Sequence, residues 1–379
     1  MFQKTFLKLI LITSLTLIIF IGSGLYYIGH FLTIKIGFVA SLTGELSELG
    51  VTGRNGAIIA VEEINQKRSW YERKIELVIV DDKKDVDEAL EVDKKLYEQG
   101  TEIIIGHMLS VMTQKSLPFA NENKILMVSP TISTDTLTGI DDYFIRVIPA
   151  NFNEGKKLAL AAINQTKTKN VLVVYDQRNI LYAEPIIKIF EEKFTASGGN
   201  IVNKISFVNQ RDLVTKAQKI DKNSVDGVLL IASALDASMF CQQMKKNNFQ
   251  IPTFLPMWAM TNDFIQAGGR SVEGAYLVSK VDLNSKEEKY QHFYDKYYDK
   301  YKEKPTFASV LSYNALLVVM EGIKLANSVN GEKVKIAILN KGVFPGLQGE
   351  QIIDKYGDMQ SEYYIYRVKD GGFVKVEGL

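Results

Sequence analysis

Two short stretches carry side chains suited to gripping a small polar ligand. One is SPTISTDT, Ser129 to Thr136, which follows the apolar run Ile125 to Val128. The other is GHMLSVMT, Gly106 to Thr113, which follows Ile103 to Ile105. Ser110, Thr131 and Ser133 offer neutral hydroxyl donors. Both stretches stand where a helix is expected to begin. A helix N-terminus adds free N–H groups and the positive end of a dipole, a combination that suits a carboxylate or phosphate. Ser, Thr and Asp are also the preferred helix caps, so each of these residues alone reads as a cap before it reads as a ligand. Two such loops at one end of a sheet weigh towards a site. Three more stretches follow strands later in the chain. YDQRNILYAE holds Tyr182, which can stack on or bond to a ligand or simply start a helix. FLPMWAMTND holds Trp258 between Met257 and Met260, an apolar wall for a ligand or a packing surface between lobes. ASALDAS holds Asp236, which reads as a helix cap before it reads as a ligand.

Catalytic constellations are missing. No GxSxG elbow, P-loop or GxGxxG occurs. Asp81-Asp82 precedes Lys83-Lys84 and reads as solvated or capping. His107 has no nucleophile beside it and reads as a structural histidine. The three histidines lack metal-ligand spacing, and a single cysteine, Cys241, excludes an intramolecular disulfide and a cysteine-based zinc cluster. A net charge of +1 gives no electrostatic case for nucleic acid. No enzyme and no cofactor is expected.

These loops need a scaffold, and the hydrophobic pattern supplies one. Apolar strand-like runs alternate with helical ones: TIKIGFVAS, GRNGAIIAVEEINQ, KIELVIVDD, DVDEALEVDKKLYEQG, EIIIGH, SVMTQKSLPFANEN and KILMVSP. This order predicts a parallel sheet with helices on both faces, and continuous apolar strands fit burial on both sides. A second series starts near Ala150 with NVLVVYD, GNIVNKISF, VDGVLLIAS and IPTFLP. Its helices are expected near 151–164, 183–196, 211–219 and 235–247. With 379 residues, two lobes of ordinary size are the natural reading. No Pro/Gly/Ser-rich linker separates them, which argues for several strand-like crossings. In such sheets ligands bind beyond the carboxyl ends of the strands.

The N-terminus is basic at Lys4 and Lys8, then free of acids, Lys and Arg from Leu9 to Thr33. That length can span a bilayer, and the leading positive charges place the body outside the cytoplasm. The segment reads as an uncleaved signal anchor, with a cleaved secretory signal as the other reading. No cysteine follows it to carry a lipid.

On the stretches IKIGFVASLTGELSELGVTGRNGAIIAVEEIN, IIIGHMLSVMTQKSLPFANENKILMVSPTISTDTLT and YFIRVIP the chain resembles the type I periplasmic solute-binding proteins, in particular the leucine/isoleucine/valine-binding group of ABC importers. The resemblance implies an α/β fold of two Rossmann-like lobes joined by three hinge crossings, near Pro149-Ala150, Glu273-Gly274 and Gly346. Residues 1–32 would then be the anchor, 33–149 with 274–345 lobe 1, and 150–273 with 346–379 lobe 2. It assigns a ligand carboxylate to Ser110, Thr131 and Ser133, and places Leu49 and Tyr182 against the ligand body. It expects an acid for an α-ammonium near Trp258, where PMWAMT offers none, so that Asp236 or another acid substitutes, or the ligand is not a simple α-amino acid. The implied function is capture of a small carboxylate-bearing solute, an amino acid or an analogue, for ABC permease subunits, with the membrane engaged through the N-terminal helix. A membrane-tethered ligand sensor acting through a signalling partner is the other reading.

Overall fold

A computed structural model describes residues 12–24, 26, 33–69 and 72–376. A helix α1, Ile12–Gly24, carries large apolar side chains that are mostly exposed, Phe20 to 78%. The charge-free run singled out in the sequence also covers residues outside the described ones.

The first sheet contains β1 (Thr33–Ala40), β2 (Lys74–Asp81), β3 (Ile103–Gly106), β4 (Leu126–Ser129) and β5 (Phe144–Arg146) in the order β2-β1-β3-β4-β5, all parallel. Helices α2 (Ser47–Lys67), α3 (Val86–Glu98) and α4 (Thr113–Asn123) connect its strands. Asp85 caps α3 by accepting the Asp87 and Glu88 N–H groups. Strand β3 ends on Gly106 at φ +135°, where a Cβ would lie 2.2 Å from the Val39 carbonyl oxygen. Only glycine lets the chain turn there into the His107 loop.

The second lobe begins with α5 (Phe152–Leu160), which runs on into a π turn at Ala161–Gln165. Strands β6 (Asn170–Asp176), β7 (Asn200–Phe207), β8 (Gly227–Ile231), β9 (Thr253–Leu255) and β10 (Tyr276–Ser279) form a parallel sheet. Helices α6 (Ile180–Ala196), α7 (Gln210–Ala217), α8 (Ala234–Lys246) and α9 (Asn262–Gly268) connect them. Three helices follow: α10 (Glu288–Tyr301), α11 (Phe307–Ala326) and α12 (Gly331–Lys341). α11 is apolar nearly all round, as a helix enclosed by protein must be. It lies so close to α2 that a Cβ on Gly56 would meet the Ser309 carbonyl oxygen at 2.0 Å. A small antiparallel sheet of β11 (Val343–Gly346), β12 (Gly349–Ile353) and β13 (Met359–Gln360) comes next. Strands β14 (Tyr364–Lys369) and β15 (Gly372–Lys375) then return to the second sheet, whose order is β15-β14-β10-β9-β8-β6-β7.

The α/β architecture of two lobes, each with a parallel sheet, is the one expected. Two crossings fall later than expected. β10 pairs with β9 and β14, so Gly274 and Ala275 enter the second sheet and the crossing follows Ser279. The β11–β13 sheet packs on the first lobe: Arg146 N–H donates to the Gly357 carbonyl (3.0 Å), and Gly139 N–H donates to Asp358 (2.7 Å). The third crossing therefore lies between β13 and β14, after Gln360, and not at Gly346.

Candidate functional site

The hydroxyls after β4 have distinct partners. Ser129 Oγ donates to the His107 carbonyl (2.8 Å) and accepts the Ile132 N–H (3.0 Å), which folds the loop back on its own strand. Thr131 Oγ1 donates to the Met108 carbonyl at 2.6 Å, tying this loop to the one after β3. Thr134 Oγ1 bonds Thr136 Oγ1, and the Thr134 carbonyl accepts from Arg146, a fully buried guanidinium that also pairs with Asp358 at 2.7 Å. Ser133 Oγ is fully buried and has no hydrogen-bond partner. A buried hydroxyl without a partner is costly, so this atom marks a place where a polar group is wanted. The loop leads into a single 3-10 turn, Asp135–Leu137, and not into an α-helix. The helix dipole expected behind it is missing.

The loop after β3 is braced by charge. His107 is fully buried with Nδ1 2.9 Å from Asp82 and Nε2 3.1 Å from Asp93. Burial alone would lower its pKa, but the two carboxylates prevail and raise it to about 10. The ring is thus an imidazolium at neutral pH, structural as the sequence implied. Asp82 also accepts from Ser41 Oγ at 2.6 Å, which ties the loop after β1 to the same point. Ser110 opens a short 3-10 turn that leads into α4.

The second lobe presents Tyr182 from the first turn of α6 and Trp258 from a short turn after β9. Their rings meet edge to face with centroids 5.6 Å apart. Behind them lies Glu154 on α5, fully buried. Its carboxyl accepts the Met257 N–H (2.7 Å) and the Tyr182 hydroxyl (3.1 Å), and Tyr363 approaches at 3.4 Å. Burial pushes its pKa up to about 7, against the pull of these three donors. Asn151, at the first crossing, donates its backbone N–H to the Ser133 carbonyl (2.7 Å) and Nδ2 to the Tyr182 carbonyl (2.8 Å).

Both halves meet at a small cavity of about 20 Å³, lined by Leu49, Met108, Leu109, Thr131, Ser133, Ile148, Asn179, Tyr182, Met257, Trp258 and Phe307. The structure thus gathers Leu49, Thr131, Ser133, Tyr182 and Trp258 around one space between the lobes. Two candidates stand elsewhere. Ser110 is buried beside the cavity but outside its lining. The Asp236 carboxylate is tied to Arg178, which also holds Asp176 (2.7 Å), and it does not face the cavity. Ser233, not Asp236, caps α8, and the Asp236 carboxylate is held in an ion pair. Asn179 was missed; its side chain accepts the Val111 N–H across the cleft at 3.2 Å. Ile148 and Phe307 were also missed, because nothing local distinguishes a cleft-lining apolar residue from a core one. Among the described residues no group of histidine, cysteine and acid side chains could hold a metal ion.

Two lobes with parallel sheets, closing on a cavity at the carboxyl ends of their strands, define a solute-binding protein. Residues 33–372 match the periplasmic binding protein family, and the chain belongs to it. The leucine-, isoleucine-, valine-, threonine- and alanine-binding protein of Pseudomonas aeruginosa is 23% identical over 88% of this chain and 89% of its own length. A leucine binding protein from Thermotoga maritima superposes with a TM-score of 0.82 at 25% identity, covering 91% of this chain and 98% of that one. A solute-binding protein from R. palustris solved with benzoate gives 0.81 at 21% identity, over 91% and 96%. Members of the family bind solutes and are not enzymes, and family membership implies an extracytoplasmic location.

Proposed function

We propose that the chain captures a small carboxylate-bearing solute outside the membrane by lobe closure and delivers it to ABC permease subunits. The observation that carries this is Ser133 Oγ, buried and unpartnered, on a residue that lines a mostly apolar cavity between the lobes. A ligand carboxylate accepting from it satisfies the hydroxyl, while Leu49, Trp258 and Phe307 cover an apolar body. Relatives named for branched-chain amino acids, and one solved with benzoate, support a carboxylate as the shared element. Thr131 completes the carboxylate end through its backbone, since its hydroxyl is engaged. Residues 1–32 hold the protein at the membrane; the exposed apolar surface of α1 supports that role. No observation favours the tethered sensor.

The test is a melting screen of the full chain in detergent against amino acids and carboxylic acids. A ligand at a hundredfold excess over its Kd should add about 2.7 kcal/mol of stability. Ser133→Ala should weaken that ligand roughly tenfold or more, the worth of one charge-assisted hydrogen bond, without lowering the unliganded melting temperature. Unchanged affinity in this variant would refute the carboxylate site.

A further inference from the structure

No acid lines the Ser133 cavity, but one stands next door. A second cavity between the lobes is lined by Glu45, Glu48, Thr52, Ser233, Thr261 and Thr306, and it shares Leu49 and Trp258 with the first. Glu48 comes from the first turn of α2 in lobe 1, and Thr261 from the loop after the Trp258 turn in lobe 2. Glu48 makes no ion pair, while Asp263 and Glu303 lie near enough to oppose its charge. Burial and these like charges push its pKa up to about 7; the neighbouring Thr261 hydroxyl offsets part of that rise. Thr261 Oγ1 is itself buried, and its one polar neighbour is the Glu48 carboxyl, which it approaches without completing a well-formed hydrogen bond. A partly buried acid without a cation, and a buried hydroxyl whose one polar neighbour is that acid, therefore line the same space from opposite lobes.

We infer that Glu48 and Thr261 form a second polar subsite that takes an amino group of the ligand, held apart from its carboxylate by an apolar segment lying along Leu49 and Trp258. This rests on the carboxylate reading of Ser133 and extends it. The ligand class is an amino acid with its charges at opposite ends of an apolar chain. An ammonium there neutralises Glu48 and donates to both groups. Because Glu48 and Thr261 belong to different lobes, the amine also joins the lobes, which makes closure selective for ligands carrying it.

The experiment uses calorimetry on the full chain in detergent with three probes: hexanoate, 6-aminohexanoate and leucine. 6-Aminohexanoate should bind roughly tenfold or more tightly than hexanoate. Glu48→Gln should bring that ratio to about one, and Thr261→Val should reduce it severalfold; melting curves confirm that both variants fold. A ratio near one in the unaltered protein, or a ratio that survives Glu48→Gln, overturns the inference. So does leucine binding more tightly than 6-aminohexanoate, which places the amino group beside the carboxylate. Failure of all three probes to bind, with Ser133→Ala indistinguishable, overturns the carboxylate reading itself.

Discussion

At the scale of single residues, the meaning of a polar side chain lies in its partners. Of the hydroxyls between Ser129 and Thr136, Ser129, Thr131, Thr134 and Thr136 are engaged within the loops and Ser133 is left over. The sequence shows the cluster but not that allocation, because every partner is set by a neighbouring strand or by the fold of the loop. Glu154 makes the same point from the other side. Nothing in NFNEGKK, within the helix expected near 151–164, sets it apart, yet it is fully buried behind Tyr182 and Trp258. Its pKa is raised to about 7, above the usual 4.5, so the folded state holds its proton more tightly than the unfolded chain does. The associated stability is present in full below about pH 4.5 and is lost as pH rises through about 7. Urea melts of the unaltered protein and Glu154→Gln should therefore diverge by up to about 3 kcal/mol between pH 4.5 and 8, with the variant the flatter curve. Parallel curves across that range would show that the carboxyl titrates as it does in the unfolded chain.

At the scale of elements, local pattern and long-range pairing have different visibility. The strand and helix series of both lobes is legible because strand burial and helical periodicity are properties of short windows. Sheet membership is not: β10 looks the same whether it pairs with β9 or starts a crossing, and β11 to β13 look like any C-terminal hairpins. The expected helix after SPTISTD failed for a related reason, since the loop spends its hydrogen bonds on β3 and on Arg146. One tertiary device at this scale is the His107 triad, which joins the ends of β2 and β3 to α3. A histidine pKa raised from 6.5 to about 10 contributes stability that is complete below pH 6.5 and is lost as pH rises through about 10. His107→Gln leaves Asp82 and Asp93 buried without their cation. It should cost about 3–5 kcal/mol at pH 7, and chemical denaturation should show the deficit shrinking towards pH 10. A deficit that stays constant with pH would mean the ring is neutral in the folded protein.

At the scale of the whole molecule, the question is what holds the lobes together and what lets them part. A cavity of about 20 Å³ has room for one water, so any solute of amino-acid size enters only with the lobes apart. Arg178 spans the closure: it reaches Glu45 on lobe 1 at 2.7 Å while pairing with Asp176 and Asp236 on its own lobe. Its partners differ in burial, and that decides what each is worth. Glu45 is half exposed, so its pair contributes roughly 0.2–1 kcal/mol and is screened by salt. Asp176 and Asp236 are buried, and stripping them of Arg178 should cost about 3–5 kcal/mol. Glu45→Gln should therefore leave the melting temperature nearly unchanged but favour the open form. It should weaken ligand binding up to about fivefold at low salt, chiefly through faster release, with the difference fading at high salt. Arg178→Met should instead lower global stability whatever the ligand. Stopped-flow release rates and melting curves of the two variants separate these effects. Equal destabilisation by both, or a release rate that ignores Glu45→Gln at low salt, would mean that the Arg178 bridge holds lobe 2 together without helping to keep the cleft shut.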